Sequence, residues 1–118
     1  MKTTYIISSL IVFLVFGYTT THAQLFKTNL KITVLEGTDQ PVTEAEVKLY
    51  TSEENYRSST NPVFNGKTNK KGQVKIKKLK PRAYYLEVRK NELSNQGGLV
   101  KTEALIAKKT NKVTVQLE

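Results

Sequence analysis

From Asn29 onward, apolar side chains return at every second position in short runs, the period of strands that bury one face. Leu30, Ile32 and Val34 alternate with Lys31 and Thr33, and EVKLY at 46–50 repeats the pattern with Val47 and Leu49 inward. Val63 and Phe64 begin a further short strand. Val74 and Ile76 then alternate with Gln73, Lys75 and Lys77, and Tyr84, Leu86 and Val88 with Tyr85, Glu87 and Arg89. LVKTEALI at 99–106 reads as a strand, and KVTVQLE closes the chain with Val113, Val115 and Leu117 inward. Turn-forming residues separate these runs: Gly37, Asp39 and Pro41, the segment Asn69 to Gly72, and the loop NELSNQGG. SEENYRSSTNP is polar and reads as an exposed loop in which Ser52 can cap a short helical turn. Leu79 follows Ile76 by three positions instead of two, so a bulge or bend near Lys77 and Lys78 is needed to restore the register.

About seven short strands without a long amphipathic helix predict a β-sandwich. Its core should hold Leu30, Ile32, Val34, Val47, Leu49, Val74, Ile76, Leu79, Tyr84, Leu86, Val88, Val113, Val115 and Leu117. The residues before Asn29 follow a different rule. Lys2 is the only charge before a nearly continuous apolar run from Tyr5 to Tyr18, and polar residues ending in Ala23 follow it. The run is too short to span a bilayer, which takes roughly 20 apolar residues, and its order is that of a secretory signal. Residues 1–23 are therefore expected to be a helical signal peptide cut before Gln24, residues 24–29 a lead-in, and residues 30–118 one domain. Removing 23 of the 118 residues leaves 95, and the loss of Lys2 lowers the formal charge from +9 to +8.

No cysteine occurs anywhere, and the single histidine, His22, falls in the segment expected to be removed. Disulfides and a lipidated cysteine are thereby excluded, so the processed chain should carry no stable membrane anchor. Zinc sites draw mainly on thiolate and imidazole, and nucleophilic and acid–base catalysis most often on imidazole. The ten acids show no calcium-loop spacing, and the pair Gly97-Gly98 is no phosphate loop. The composition points to a non-catalytic domain without cofactor or metal.

Three stretches carry a resemblance to a known family. ITVLEGTDQPVTEAEVKLY, KTNKKGQVKIKKLKP and AYYLEVRK resemble the carboxypeptidase regulatory-like family, a prealbumin-like or transthyretin-like β-sandwich found as a small module in exported bacterial proteins. The likeness runs from residue 30 to 118. It implies an all-β, seven-stranded Greek-key sandwich with a non-catalytic interaction or structural role in the bacterial envelope, periplasmic or extracellular. Two positions depart from the family pattern: Glu44 stands where glycine is usual before Ala45, and Arg82 follows Pro81 where glycine is usual. A Pro-Arg pair fits a type I turn. A related family of surface sandwiches joins its first and last strands by a Lys–Asn isopeptide bond, and Lys31 and Asn111 sit at suggestive ends of this chain. Alternation nevertheless turns Lys31 outward, away from the buried acid and amide that such a bond needs.

Charge is concentrated in one place. Residues 67–82 contain eight cations and no acid, which equals the whole charge expected of the processed domain. The simplest reading places these lysines on turns and on the wet face of one strand, where lysine also discourages edge-to-edge association. The alternative is a site for a polyanion or anionic glycan made of Lys70, Lys71, Lys75, Lys77, Lys78, Lys80 and Arg82, joined by Tyr85. Nucleic acid is not expected as a partner, because no recognition helix or interleaved aromatics accompany the cations. A third reading places the contacts in the long loops 51–62 and 91–98, where sandwiches commonly present variable binding surface.

Overall fold

The computed structural model describes residues 27–118. The expected signal peptide and residues 24–26 lie outside the described residues. Eight strands and one short helix follow in order: β1 (Asn29–Glu36), β2 (Gln40–Pro41), β3 (Glu46–Tyr50), α1 (Glu53–Ser58), β4 (Phe64–Lys67), β5 (Gln73–Ile76), β6 (Tyr85–Lys90), β7 (Leu93–Ser94) and β8 (Thr110–Leu117). They make two four-stranded sheets. In the first, β1 is central. The last strand, β8, lies parallel to it along its whole length, from Asn29 opposite Thr110 to Glu36 opposite Leu117. A strand has only two edges, so β5 and β2 share the other, β5 against Leu30–Thr33 and β2 against Leu35 and Glu36. The second sheet runs β4-β3-β6-β7, antiparallel throughout.

The inward residues of both sheets meet in one core, the arrangement of a β-sandwich. Eleven of the fourteen expected core residues are buried, and Val74, Leu79 and Val113 pack half-buried against them. Val42, Ala45 and Leu105 join the core from connecting segments; Ala45 extends the alternation of Val47 and Leu49 by one step, whereas Val42 and Leu105 stand outside any alternating run. Tyr50 is also fully buried, although it faces away from Leu49. α1 explains this. Ser52 caps the helix by accepting from the Asn55 amide at 3.1 Å, and Tyr56 covers Tyr50 edge-on at 6.1 Å between ring centroids. The segment 51–62 is therefore a helix-bearing cover on the outer face of the second sheet, not an open loop.

The motif TNKKG holds two sheets and a turn together. Thr68 hydroxyl accepts from the Ala45 amide at 2.9 Å and donates to the Val42 carbonyl. Asn69 Oδ1 accepts from the amides of Lys71 (2.9 Å) and Gln73 (3.1 Å), which fixes the turn into β5. Gly72 sits at φ +72°, and its carbonyl accepts from the Val34 amide at 2.7 Å. A Cβ there would lie 2.7 Å from the Val34 carbonyl oxygen, so the chain requires glycine both for conformation and for close approach.

Beyond β5 the expected irregularity is a bend. Lys78 adopts φ +60°, its amide donates to Asn29 Oδ1 (3.2 Å), and the Leu79 amide donates to the Thr28 carbonyl (2.9 Å). These bonds return Leu79 to the core margin. Glu44, at the position where the family pattern has glycine, holds φ +58°.

Three further expectations need correction. Eight strands replace seven, because the two-residue strands β2 and β7 form while LVKTEALI does not become a strand. That segment runs beside β6 and the residues leading into it but touches them at spaced anchors: Leu86 amide to Val100 carbonyl, Thr102 amide to Tyr84 carbonyl, and Leu105 amide to Arg82 carbonyl. At Thr102 the side-chain hydroxyl accepts from the Tyr84 amide (3.0 Å), which replaces a ladder bond and interrupts regular pairing. The third correction is at Pro81, where the Arg82 amide donates to the Lys80 carbonyl two residues back (2.9 Å), so the turn is a γ-turn and not type I. Tyr84 hydroxyl donates to the same Lys80 carbonyl (2.9 Å) and secures the corner.

Candidate functional site

The sheet divides the cationic run instead of gathering it. Lys70 and Lys71 stand on the turn before β5, Lys75 lies in its middle on the outer face, and Lys77, Lys78 and Lys80 lie past its end. β5 alone holds the two groups roughly 10 Å apart at about 3.3 Å per residue. All six lysines are exposed. Arg82 is engaged with the backbone, its Nη2 donating to the Thr51 carbonyl at 2.8 Å and its Nε to the Ala83 carbonyl at 3.3 Å. Tyr85 is elsewhere altogether, on the outer face of the second sheet. There it stacks on Tyr56 with centroids 5.8 Å apart, and Lys101 Nζ lies 5.1 Å from its ring centre. The expected partnership of Tyr85 with the lysines of 67–82 is thus not formed.

What the structure assembles is a different cluster. Lys31 pairs with Lys75 across β1 and β5 and with Lys112 across β1 and β8, so three lysines stand abreast on the outer face of the first sheet. Neighbouring strands are about 4.8 Å apart. Two charges near 5 Å repel by about 0.8 kcal/mol in water before screening, a load that flexible lysines reduce by splaying. The next row along the same face, Gln73–Thr33–Thr114, is uncharged, and none of the outward residues of β1, β5 or β8 from Lys31 to Leu35 is acidic. The three salt bridges among the described residues are Lys48–Glu46, Arg57–Glu53 and Arg89–Glu87, which leave this lysine row out. Alternation had placed Lys31 outward, yet the row depends on register between segments distant in sequence, which no local pattern carries.

The buried polar groups serve the fold. Asn95 is 1% exposed; its Oδ1 accepts from the Val88 amide (3.0 Å) and its Nδ2 donates to the carbonyls of Leu86 (2.9 Å) and Leu99 (2.8 Å). It stands in for a strand along the edge of β6 and anchors the loop 91–98. Tyr50 hydroxyl donates to Glu87 Oε1 at 2.8 Å, and Ser59 hydroxyl donates to Glu87 Oε2 at 3.0 Å. Burial, then the bond to Glu87, pushes the Tyr50 phenol above its ordinary value. Every buried side-chain nitrogen and oxygen among the described residues has a hydrogen-bond partner. No group of three carboxylate, imidazole or thiol side chains among them is placed to hold a metal ion.

Lys31 and Asn111 do not approach an isopeptide geometry. Lys31 lies between the fully buried Leu30 and Ile32 and so faces the outer side of the sheet. Asn111 Nδ2 donates to the carbonyls of Asn29 (3.2 Å) and Ile106 (3.0 Å), while its Oδ1 accepts from the Ile106 amide (2.8 Å). The amide closes the turn into β8.

These features describe a small two-sheet β-sandwich with paired first and last strands, a satisfied interior and one strongly basic sheet face. The sequence matches no family model and no curated protein. Among solved structures it is similar to the Bacillus anthracis TIE protein, with a TM-score of 0.54 and 19% identity over 79% of this chain. It is also similar to the major pilin subunit of Bacillus cereus, with a TM-score of 0.50 and 15% identity, again over 79% of this chain. The chain spans 16% and 30% of those two chains, so the likeness concerns only a part of each.

Proposed function

We propose that this chain is an exported, non-catalytic β-sandwich module of the carboxypeptidase regulatory-like, Greek-key type that mediates protein interaction or structural support in a bacterial envelope. The observation that carries this reading is the satisfied interior: of the buried polar residues, Asn95 ties a loop to β6, and Thr28, Thr68 and Thr102 tie connecting segments to one another at the strand ends. Every buried side-chain nitrogen and oxygen among the described residues is used within the fold itself. The likeness to part of a pilin subunit supports a place at the cell exterior. The test is to express the full chain in a bacterium, fractionate the cells and sequence the N-terminus of the product. A periplasmic or extracellular product beginning at Gln24 is expected, and an uncleaved cytoplasmic product defeats the reading.

A second reading, binding of an anionic glycan or other polyanion, is favoured by the row Lys75–Lys31–Lys112. On immobilised heparin, retention should fall steeply with salt and be lost when all three lysines are changed to glutamate. Retention that survives both, or that depends instead on Lys70 and Lys71, removes the row as the site.

A further inference from the structure

β8 is the longest strand edge that lacks a partner among the described residues. Its backbone parity shows which groups are free. The Asn29 amide donates to the Lys109 carbonyl (3.0 Å), so odd-numbered residues of this segment turn their backbone groups toward β1 and even-numbered ones turn away. Glu118 agrees: it exchanges two 3.1 Å bonds with Ser94 on the side away from β1. Lys112, Thr114 and Gln116 therefore present their amides and carbonyls outward, along an edge closed at one end by the Glu118–Ser94 pair. At the other end it is closed by the turn that Asn111 holds to Ile106. Natural sheets blunt such edges with proline, bulges or charge, and here a single lysine is all that guards five residues.

Beside this edge the sandwich is open. A groove of about 820 Å³ lies between 111–114 and the segment 99–106. Two of its wall residues are large, apolar and exposed, Leu99 (41%) and Ile106 (60%), and Val113 adds a half-buried side chain. Lys109 and Lys112 rim it against the single acid Glu103, while Lys101 lines the wall with its ammonium turned to Tyr85.

We infer that the edge of β8 is a β-augmentation site for an extended, acidic segment of a partner protein, about five residues long, with acids alternating with apolar residues. An added strand would place every second side chain on the outer face beside Lys112, extending the row Lys75–Lys31–Lys112, where an acid forms a cross-strand pair. The intervening side chains would turn toward Val113, Leu99 and Ile106, which calls for apolar residues. Backbone bonds supply affinity and the alternation supplies specificity. A second copy of this chain does not fit the charge, since its own β8 edge, Lys112 to Gln116, brings a lysine and no acid. The inference rests on the reading of the chain as an interaction module and names the surface it uses.

The test measures amide hydrogen exchange on the purified protein with a capped peptide alternating valine and glutamate over seven residues, supplied at millimolar concentration. Without peptide, the amides of Lys112, Thr114 and Gln116 should exchange rapidly. With it, they should become protected at least about tenfold, and added salt should weaken the effect. Thr114→Pro removes one outward amide at an edge position that tolerates proline and should abolish protection while leaving the melting temperature nearly unchanged. Should that variant fail to fold, Lys112→Glu provides an independent reading: affinity for the glutamate peptide falls about two- to fivefold and a lysine–valine peptide gains correspondingly. The inference is overturned by any of four results: slow exchange at these amides in the free monomer, no protection by the peptide, equal protection by lysine–valine and glutamate–valine peptides, or protection by heparin in their place. If an envelope partner is retained equally by wild type and Thr114→Pro, the interaction reading stands and this site falls.

Discussion

Replacing Gly72 with alanine adds one methyl group at the point where the TNKKG turn meets β1. Two effects oppose it. At φ +72° a Cβ costs about 1–2 kcal/mol through its clash with the following backbone. The same methyl would stand 2.7 Å from the Val34 carbonyl oxygen and 3.0 Å from Pro41 Cβ, so the turn must move off β1. Movement breaks the 2.7 Å bond from the Val34 amide to the Gly72 carbonyl. Val34 is fully buried, and an orphaned buried amide costs about 1–3 kcal/mol. The expected loss is therefore about 2–5 kcal/mol. Gly37 provides the control, because it has φ +53° and nothing lies within 4 Å of where its Cβ would stand, so Gly37→Ala carries the conformational cost alone. Any gain from stiffening the unfolded chain is shared by both variants and cancels in the comparison. In thermal melts followed by circular dichroism, Gly72→Ala should melt at least about 4 °C below Gly37→Ala, given about 4–8 °C per kcal/mol for a domain of this size. Equal melting temperatures would refute the claim that close approach, and not only backbone conformation, fixes glycine at position 72.

Other variants test separate joints of the structure. Asn95→Ala removes three buried hydrogen bonds along the β6 edge and should destabilise by about 3 kcal/mol or more in urea titrations, with faster proteolysis of the 91–98 loop. The Tyr50 phenol has a folded-state value raised above its unfolded one, so the stability it contributes is complete below about pH 10 and is lost as pH rises through the folded value. Tyr50→Phe should flatten this alkaline limb; an unchanged limb would assign it to other groups, of which Lys48, raised by its bond to Glu46, titrates in the same direction. Tryptic digestion should release the peptides bearing Lys31 and Asn111 separately, and a joined pair lighter by about 17 Da would contradict the engaged amide of Asn111.

The strand alternation exposed most of the core because its signal is local: each run carries its own period, and Leu30, Ile32, Val34, Leu86 and Val88 follow it without reference to any other run. The same holds for the TNKKG turn and for the bend at Lys78, where a three-residue gap between apolar positions has to be absorbed. Thr102 and Asn95 were invisible at that level. Each replaces a backbone partner of β6 or of the residue just before it with its own side chain, and the need for such a substitute exists only once that edge is uncovered. Tyr50 likewise counts as outward by parity and becomes buried only when α1 folds over it.

For the candidate site, the order of residues was enough to establish the net basic charge, the absence of thiol and imidazole chemistry after residue 23, and the outward direction of Lys31, Lys75 and Lys112. Which of those lysines are neighbours depends on how distant strands pair. Their registers are set by the parallel pairing of β8 with β1 and the antiparallel pairing of β5 with it, and a shift of one residue in either would send every side chain of that strand to the opposite face. Composition supplies the cations; backbone hydrogen bonding between distant segments aligns three of them and leaves the edge of β8 open beside them.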